Sequence, residues 1–318
     1  MRKYNLPIFI PHLGCPHDCA FCNQKKITGV ESNVTPQNVE ETIAEFLSTT
    51  EENSKIEIAF FGGSFTGIDI KLQEEFLKTA NKFYDRICGI RLSTRPDYIT
   101  EEILDLLLKY NVTEVELGAQ SSDDEVLEIN RRGHIFADTV KSAKMIKARG
   151  LRLGLQMMIG MAGSNEEKDI KTAKDIIALN PDSTRIYPTL VLSGTALEKM
   201  DYEPYSVEKA AEVAAKIIPM FREKDIKILR IGLHESEELR SGSVIKGPYH
   251  PAFGEIAQSL IWRRKIEEMI EEGNFDGAVY CNPSEVSKVV GHKKANKIYF
   301  YNKYKIKIKP VIKGDNNG

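Results

Sequence analysis

The chain has 318 residues, 42% hydrophobic and 28% charged, with a formal net charge of −2. That length carries one barrel-sized domain plus a small extension, and the near-neutral balance makes no global demand for nucleic acid. Five cysteines, three of them between positions 15 and 22, do not form a disulfide framework, and neither a signal peptide nor a run of ~18 apolar residues for a membrane span is present, so a cytoplasmic protein without membrane contact is expected.

Short β-branched runs alternate with amphipathic patterns along most of the chain. Strand 6–10 is followed by the cysteines and helix 35–48. Strand 56–61 leads through Gly62 and Gly63 to helix 71–85. Strand 89–93 leads through Thr94, Arg95, Pro96 and Asp97 to helix 100–109. Strand 112–118 leads to Gln120 and helix 137–149, with Gly150 placed to end that helix. Strand 151–158 precedes helix 166–179, and strand 183–187 precedes helix 207–224. Ser122 with Glu125, and Ser164 with Glu167, read as capping boxes.

Six successive βα units predict a parallel sheet with helices outside, closing fully or partly into a barrel. The glycine-rich and polar residues then gather at the C-terminal ends of the strands, where active sites of such barrels lie. No G-x-G-x-x-G follows the first strand, so a doubly wound dinucleotide fold fits less well. Near Leu229 the pattern changes, and the expected division is a barrel over 1–235 and an extension over 236–318. Within the extension, 242–253 is a glycine- and proline-containing connection, 254–271 a helix, and 297–313 a strand or hairpin. Nine lysines and no acid lie between 286 and 314. In an extended strand Lys303, Lys305, Lys307 and Lys309 share one face. Such a stripe suits a phosphate backbone, or the protection of an edge strand from aggregation.

Cys15, Cys19 and Cys22 have the spacing C-x3-C-x2-C. Three thiolates hold three irons of a [4Fe–4S] cluster and leave the fourth open to a substrate or cofactor. Zinc is the alternative, and it needs a fourth ligand, His12 or His17, because Cys88 and Cys281 are isolated. Those two cysteines read as buried packing residues. Asp123, Asp124, Glu125 and Glu128 read as a solvated helix start.

Over 7–200 the chain resembles the radical S-adenosylmethionine (SAM) enzymes. The resemblance is carried by the three cysteines, Phe60-Phe61-Gly62-Gly63-Ser64-Phe65, the run from Glu116 to Ser121, Arg131-Arg132-Gly133-His134, and Ile186 to Leu190. It is most similar to the radical SAM core of the Elongator-type tRNA-uridine modifying enzymes, and more distantly to the oxygen-independent coproporphyrinogen oxidases. The resemblance implies a partial (β/α)6 radical SAM barrel with a small C-terminal α+β extension. It implies a [4Fe–4S] cluster and S-adenosyl-L-methionine as cofactors, and an electron donor such as flavodoxin or ferredoxin. SAM cleavage then yields a 5′-deoxyadenosyl radical that takes a hydrogen atom from the substrate. A tRNA nucleoside is the first expectation for that substrate.

Carried onto this sequence, the resemblance implies that Gly62, Gly63 and Ser64 hold the methionyl amine, with Ser64 where the family often has an acid. Phe21 flanks the adenine, Gln120 contacts SAM or its ribose, and Arg132 approaches the SAM carboxylate. Thr94 and Gln156 are further cofactor contacts, His134 orients the Arg132 loop, and 160–163 shapes the loop under the adenine. Each has a plainer reading: a Gly-Gly turn, core packing for Phe21, a buried structural glutamine, a surface ion-pair arginine. Two departures stand out. About 90 residues follow Leu229, too few for the acetyltransferase domain of the Elongator-type enzymes, and Gln24 replaces a further cysteine of the coproporphyrinogen oxidases. A radical SAM enzyme acting on a small molecule such as a tetrapyrrole, and a non-enzymatic cluster-bearing carrier, are the alternatives.

Overall fold

The computed structural model describes residues 3–16, 19–23, 27, 34–233, 237–273 and 275–312. His17 and Gln24 lie outside the described residues. Strands β1 (Lys3–Phe9), β2 (Lys55–Phe61), β3 (Ile87–Thr94), β4 (Val112–Gln120), β5 (Arg152–Ile159) and β6 (Ser183–Pro188) pair in parallel in chain order. After the short β7 (Val191–Leu192), β8 (Lys227–Ile231) pairs parallel to β6. The sheet therefore has seven strands, one more than the pattern predicts, with β1 and β8 as its edges. It is a half-barrel with helices outside. Leu229 lies inside the added strand rather than at a change of architecture. Among the described residues no helix is long and apolar enough to cross a membrane.

The outer helices start where local chemistry ends the strand-to-helix loops. Thr35 caps Pro36–Ser48, whose Val39, Ile43 and Leu47 recur at helical spacing and are buried. Thr100 and Ser206 cap Glu101–Lys109 and Val207–Arg222 in the same way. Two caps sit one residue later than predicted: Asp123 caps Asp124–Ile129 and Asn165 caps Glu166–Ala178. The reason is competition for the hydroxyls. Ser164 Oγ donates to Asp169 at 2.7 Å, and Ser122 Oγ to Thr172 at 3.3 Å.

Alternation along the strands gives the sheet two different faces. Ile58, Phe60, Ile90, Leu92, Val115, Leu117, Leu153, Leu155 and Ile186 face the helices in one continuous core. Parallel sheets are usually apolar on both faces; here the inner face is charged. Arg91 lies 2.9 Å from Glu57 and 3.0 Å from both Glu114 and Glu116. Arg152 reaches Glu57 and Glu114 at 3.0 and 3.1 Å, and Arg185 reaches Glu116 at 2.6 Å. Burial works against the Arg91 charge, but Glu114, Glu116 and Glu57 outweigh it and raise its pKa. Burial likewise opposes ionisation of Glu116, and Arg185 and Arg91 overcome it, holding its pKa low.

The C-terminal part corrects the reading of 297–313. Ala295–Tyr304 is a helix, and only Lys309–Ile312 (β10) is a strand, parallel to β9 (Ala278–Cys281). The β-prone run of Ile298, Tyr299, Phe300 and Tyr301 folds as a helix because Phe300 fills a second core with Ile266, Val279, Val289 and Ile308. The four-lysine stripe is broken accordingly. Lys303 is helical and pairs with Glu267 at 2.8 Å. Lys305, Lys307 and Lys309 remain exposed, alternating with Ile306 and Ile308, which turn inward. Helix Phe253–Glu271 joins the two cores, giving Ala257 and Ile261 to the main one and Ile266 to the second. Cys281 is buried there, whereas Cys88, expected to be buried, is exposed on β3.

Replacing Arg91 by Met leaves Glu57, Glu114 and Glu116 short of a cation they share. A loss of about 3–5 kcal/mol is expected, to be read from urea unfolding of the variant against the parent chain.

Candidate active site

Backbone contacts lock the cysteine loop to its neighbours. Ile10 N–H donates to Phe61 O at 2.7 Å, His12 N–H to Gly62 O at 3.0 Å, and Ser64 N–H to Leu13 O at 2.8 Å. The loops after β1 and β2 are thereby zipped together. Gly14 has φ +70°, and a Cβ there would lie 2.1 Å from Ser64 O; a Cβ on Gly67 would lie 2.2 Å from Gly14 O. Only glycine permits that approach. Farther on, Ala20 N–H donates to Asn130 O at 3.0 Å, and Ala20 O accepts from Leu197 N–H at 2.7 Å.

A cavity of about 930 Å³ occupies the inside of the half-barrel. Cys15, Cys19, Cys22, Phe21, Gly62, Gly63, Thr94, Gln120, Arg132 and Gln156 all line it. Ser64 is the exception. It is buried beneath the loop, with its hydroxyl 3.0 Å from Thr94 Oγ1 and accepting from Arg95 N–H at 3.3 Å. Thr94 is itself tied to Thr66 Oγ1 at 2.6 Å, so it braces the Gly62-Gly63 turn as well as lining the cavity.

Arg132 joins the cysteine loop directly through its side chain. It is buried, donates to Cys19 Sγ at 3.0 Å through Nη1, and to Gly118 O at 2.7 Å through Nη2. The surface ion-pair reading of Arg132 therefore fails. Burial and Cys19 push the Cys15 thiol up, while Arg132 and Arg95 pull it back. His134 is buried beside Arg132; burial and the Arg132 charge lower it to about 4, so the ring is neutral at pH 7. Gln120 adopts φ +66°, rare for a residue with a side chain, and its buried Oε1 has no partner among the described residues. Phe21 packs against Val126, Met158 and Met161 and also lines the cavity. Gln156 lies deeper, donating to Ser93 at 3.2 Å and Glu116 at 3.1 Å.

Loop 160–163 hangs on Asp169. That carboxylate accepts from Gly160 N–H at 2.9 Å, Ser164 Oγ at 2.7 Å and Tyr205 OH at 3.3 Å. Burial drives its pKa up to about 6 despite those donors.

Among the described residues no group of three His, Cys, Asp or Glu side chains is already gathered as a metal-binding set. The donor chemistry nevertheless fits an iron–sulfur cluster with a bound organic cofactor. Three thiols and a guanidinium line one cavity, and Gln120, whose buried Oε1 has no partner among the described residues, lines it with them.

Residues 9–176, more than half of the chain, match the radical SAM superfamily, and residues 181–263 match the radical SAM C-terminal domain. The chain belongs to the radical SAM superfamily. It is similar to the tRNA uridine(34) acetyltransferase of Methanocaldococcus jannaschii, at 36% identity over 195 residues, 52% of this chain and 36% of that protein. Human Elongator complex protein 3 is 28% identical over 192 residues, 52% of this chain and 35% of its own length. Among solved structures, Methanocaldococcus infernus Elp3 superimposes with a TM-score of 0.65 at 25% identity, covering 86% of this chain and 64% of that one. Escherichia coli coproporphyrinogen III oxidase shares the fold, with a TM-score of 0.55 at 18% identity over 70% of this chain and 53% of that one. The chain thus spans only about a third of the length of the first two relatives. Radical SAM membership makes it an enzyme and implies the [4Fe–4S] cluster and SAM.

Arg95, which the sequence places at a strand end, is held by Asp97 at 2.9 Å. The inner-face charges Glu57, Arg91, Arg185 and Arg230 of this radical SAM barrel escaped the sequence reading although they line the cavity. Their signal was present as single charges at alternate positions of otherwise apolar strands.

Asp169 also sets a pH dependence. Its folded pKa is raised, so the stability it contributes is full below the unfolded value and lost as pH rises through about 6. Relative to the parent, Asp169→Asn should gain about 1 kcal/mol between about pH 5 and about pH 7.5. Denaturant unfolding of both proteins at the two pH values measures it.

Proposed function

We propose that the chain reductively cleaves SAM at a [4Fe–4S] cluster held by Cys15, Cys19 and Cys22 and abstracts a hydrogen atom from a tRNA nucleoside. The observation that carries the reading is the Arg132–Cys19 contact of 3.0 Å inside a cavity shared by all three cysteines and the Gly62-Gly63 turn. When bound, the cofactors supply one-electron cleavage of the sulfonium and a hydrogen-abstracting radical. The residues of the chain position them. Gly62 and Gly63 offer backbone to the methionyl amine, with Ser64 serving as the brace beneath. Arg132 orients Cys19 and adds positive charge beside the SAM carboxylate. Gln120 Oε1 accepts from the ribose, Phe21 flanks the adenine, and Thr94 and Gln156 complete the polar wall.

The tRNA part of the proposal is supported by the relatives named for tRNA uridine modification and by the exposed lysines of the C-terminal part. The barrel over 1–235, the extension over 236–318, a cytoplasmic setting and a flavodoxin or ferredoxin donor belong to the same proposal.

Anaerobically reconstituted protein supplied with SAM and dithionite should form 5′-deoxyadenosine, and bulk tRNA should raise the rate. Alanine at Cys15, Cys19 or Cys22 should reduce bound iron and bring the product to background. Turnover indifferent to tRNA would move the substrate to a small molecule such as a tetrapyrrole, and a loaded cluster without SAM cleavage would favour a carrier.

Truncating the extension is a poor test of RNA contact, because Phe300 and Ile308 are core residues. Charge reversal at the exposed Lys293 and Lys297 should weaken tRNA binding several-fold and lower its salt dependence by roughly one power per lysine removed. Filter binding across a salt series measures both.

A further inference from the structure

The half-barrel has an open side, and its charge there is unbalanced. β1 and β8 are the unpaired edges of the sheet, and both line the cavity. Along β1, Leu6 and Ile8 are buried while Asn5 and Pro7 are exposed; along β8 no residue is buried. β4, at the centre of the sheet, is buried almost throughout. The cavity therefore reaches solvent between the two edges as well as at the strand ends.

Cations line this cavity at several levels, and nearly all are answered. Arg91 and Arg185 are matched by Glu57, Glu114 and Glu116, and Arg95 by Asp97. Arg132 is directed at Cys19 and Gly118 O. Arg230 differs. It donates through Nε to Gly232 O at 3.0 Å and through Nη2 to Leu233 O at 2.7 Å, and no carboxylate among the described residues pairs with it. Two carbonyls fix the plane of the guanidinium without cancelling its charge. Arg230 Nη1 makes no hydrogen bond among the described residues. Lys227, on the same strand, is exposed and also lines the cavity.

The neighbourhood of Arg230 is polar rather than empty. Arg185 Nη1 reaches Tyr187 OH at 3.5 Å, and the same phenol, driven up by burial, is pulled back by Arg185 and Arg230 together. A guanidinium held in one orientation, with a phenol and a lysine lining the same cavity, has the chemistry to receive an oxyanion.

We propose that Arg230, with Tyr187 and Lys227, binds an anionic group of the substrate at the open edge of the half-barrel, and that this group is the phosphate adjoining the target nucleoside. The assignment of the anion to a nucleotide rests on the RNA-modifying reading; the anion site itself does not. A phosphate held at β8 would leave its nucleoside extending inward toward Gln156 and the strand ends, where the cysteines and Gly62 lie. Arg230 is thus a binding and positioning residue.

The test uses the reconstituted holoprotein with SAM bound. Affinities for uridine and uridine 5′-monophosphate are measured by anaerobic calorimetry, and 5′-deoxyadenosine formation is followed with and without tRNA. The parent should prefer the monophosphate. Arg230→Gln should weaken monophosphate binding by roughly tenfold or more, the usual scale for one hydrogen bond to a charged group, and leave uridine affinity unchanged. Arg230→Lys should restore part of the preference, and Lys227→Gln, a surface change that perturbs folding least, should reduce it by a smaller factor. Iron content and melting temperature confirm that each variant is loaded and folded. Equal monophosphate affinity in parent and Arg230→Gln overturns the site whatever tRNA does. A preference lost in Arg230→Gln, but turnover indifferent to tRNA, keeps the anion site and removes the RNA reading. Selective loss of binding to a carboxylate-bearing tetrapyrrole, with no phosphate preference in the parent, overturns the assignment to phosphate.

Discussion

The charged inner face of the sheet is the constraint on which the rest of this molecule depends. An apolar inner face would fill itself with side chains, as closed barrels do. Here Glu57, Arg91, Glu114, Glu116, Arg152 and Arg185 form a neutral set that cannot collapse without stranding a charge. Desolvating such ions costs several kcal/mol each, and the mutual pairing offsets it. The floor therefore stays polar and rigid, and a cavity of about 930 Å³ remains above it. Gln156 and Tyr187 take their orientations from that floor, through Glu116 and Arg185.

Above the floor, the cofactor end is preorganised by backbone more than by side chains. The Gly14–Gly67 contact and the Leu13 O to Ser64 N–H bond fuse two loops that are distant in sequence. Asn130 and Leu197 fix the cysteine segment from the other side. The left-handed Gln120 is the one strained element among the proposed cofactor contacts, and its buried Oε1 has no partner among the described residues. Strain that the surrounding strands hold in place is a frequent property of binding sites.

The joint between the two cores adds a further division of labour. Helix Phe253–Glu271 is packed against the main core at its start and against the second core farther along. The C-terminal lysines are thus carried on a folded unit rather than a tail, with Phe300 and Ile308 anchoring it. That anchoring separates Lys303, occupied by Glu267, from Lys305, Lys307 and Lys309, which face solvent.

Much of this was legible in the chain. The period-2 and period-3.6 patterns located six strands and their helices within a few residues, because burial on one face leaves a local record. The cysteine spacing and the Gly62-Gly63 turn pointed to residues that the fold brings to one cavity, because close approach to a ligand demands particular residues at fixed offsets. What escaped was decided by contacts between distant segments. A helix over Ala295–Tyr304 cannot be read from β-prone residues when its reason is a core contributed by Ile266 and Val279. Charges at alternate strand positions are visible singly, but only the parallel register shows that Arg91 meets three carboxylates while Arg230 meets none among the described residues. Sequence by itself determined the first six strands, their helices and the spacing of the cysteine loop; tertiary structure alone decided which charges cancel, since pairing energy depends on distances that no local pattern encodes.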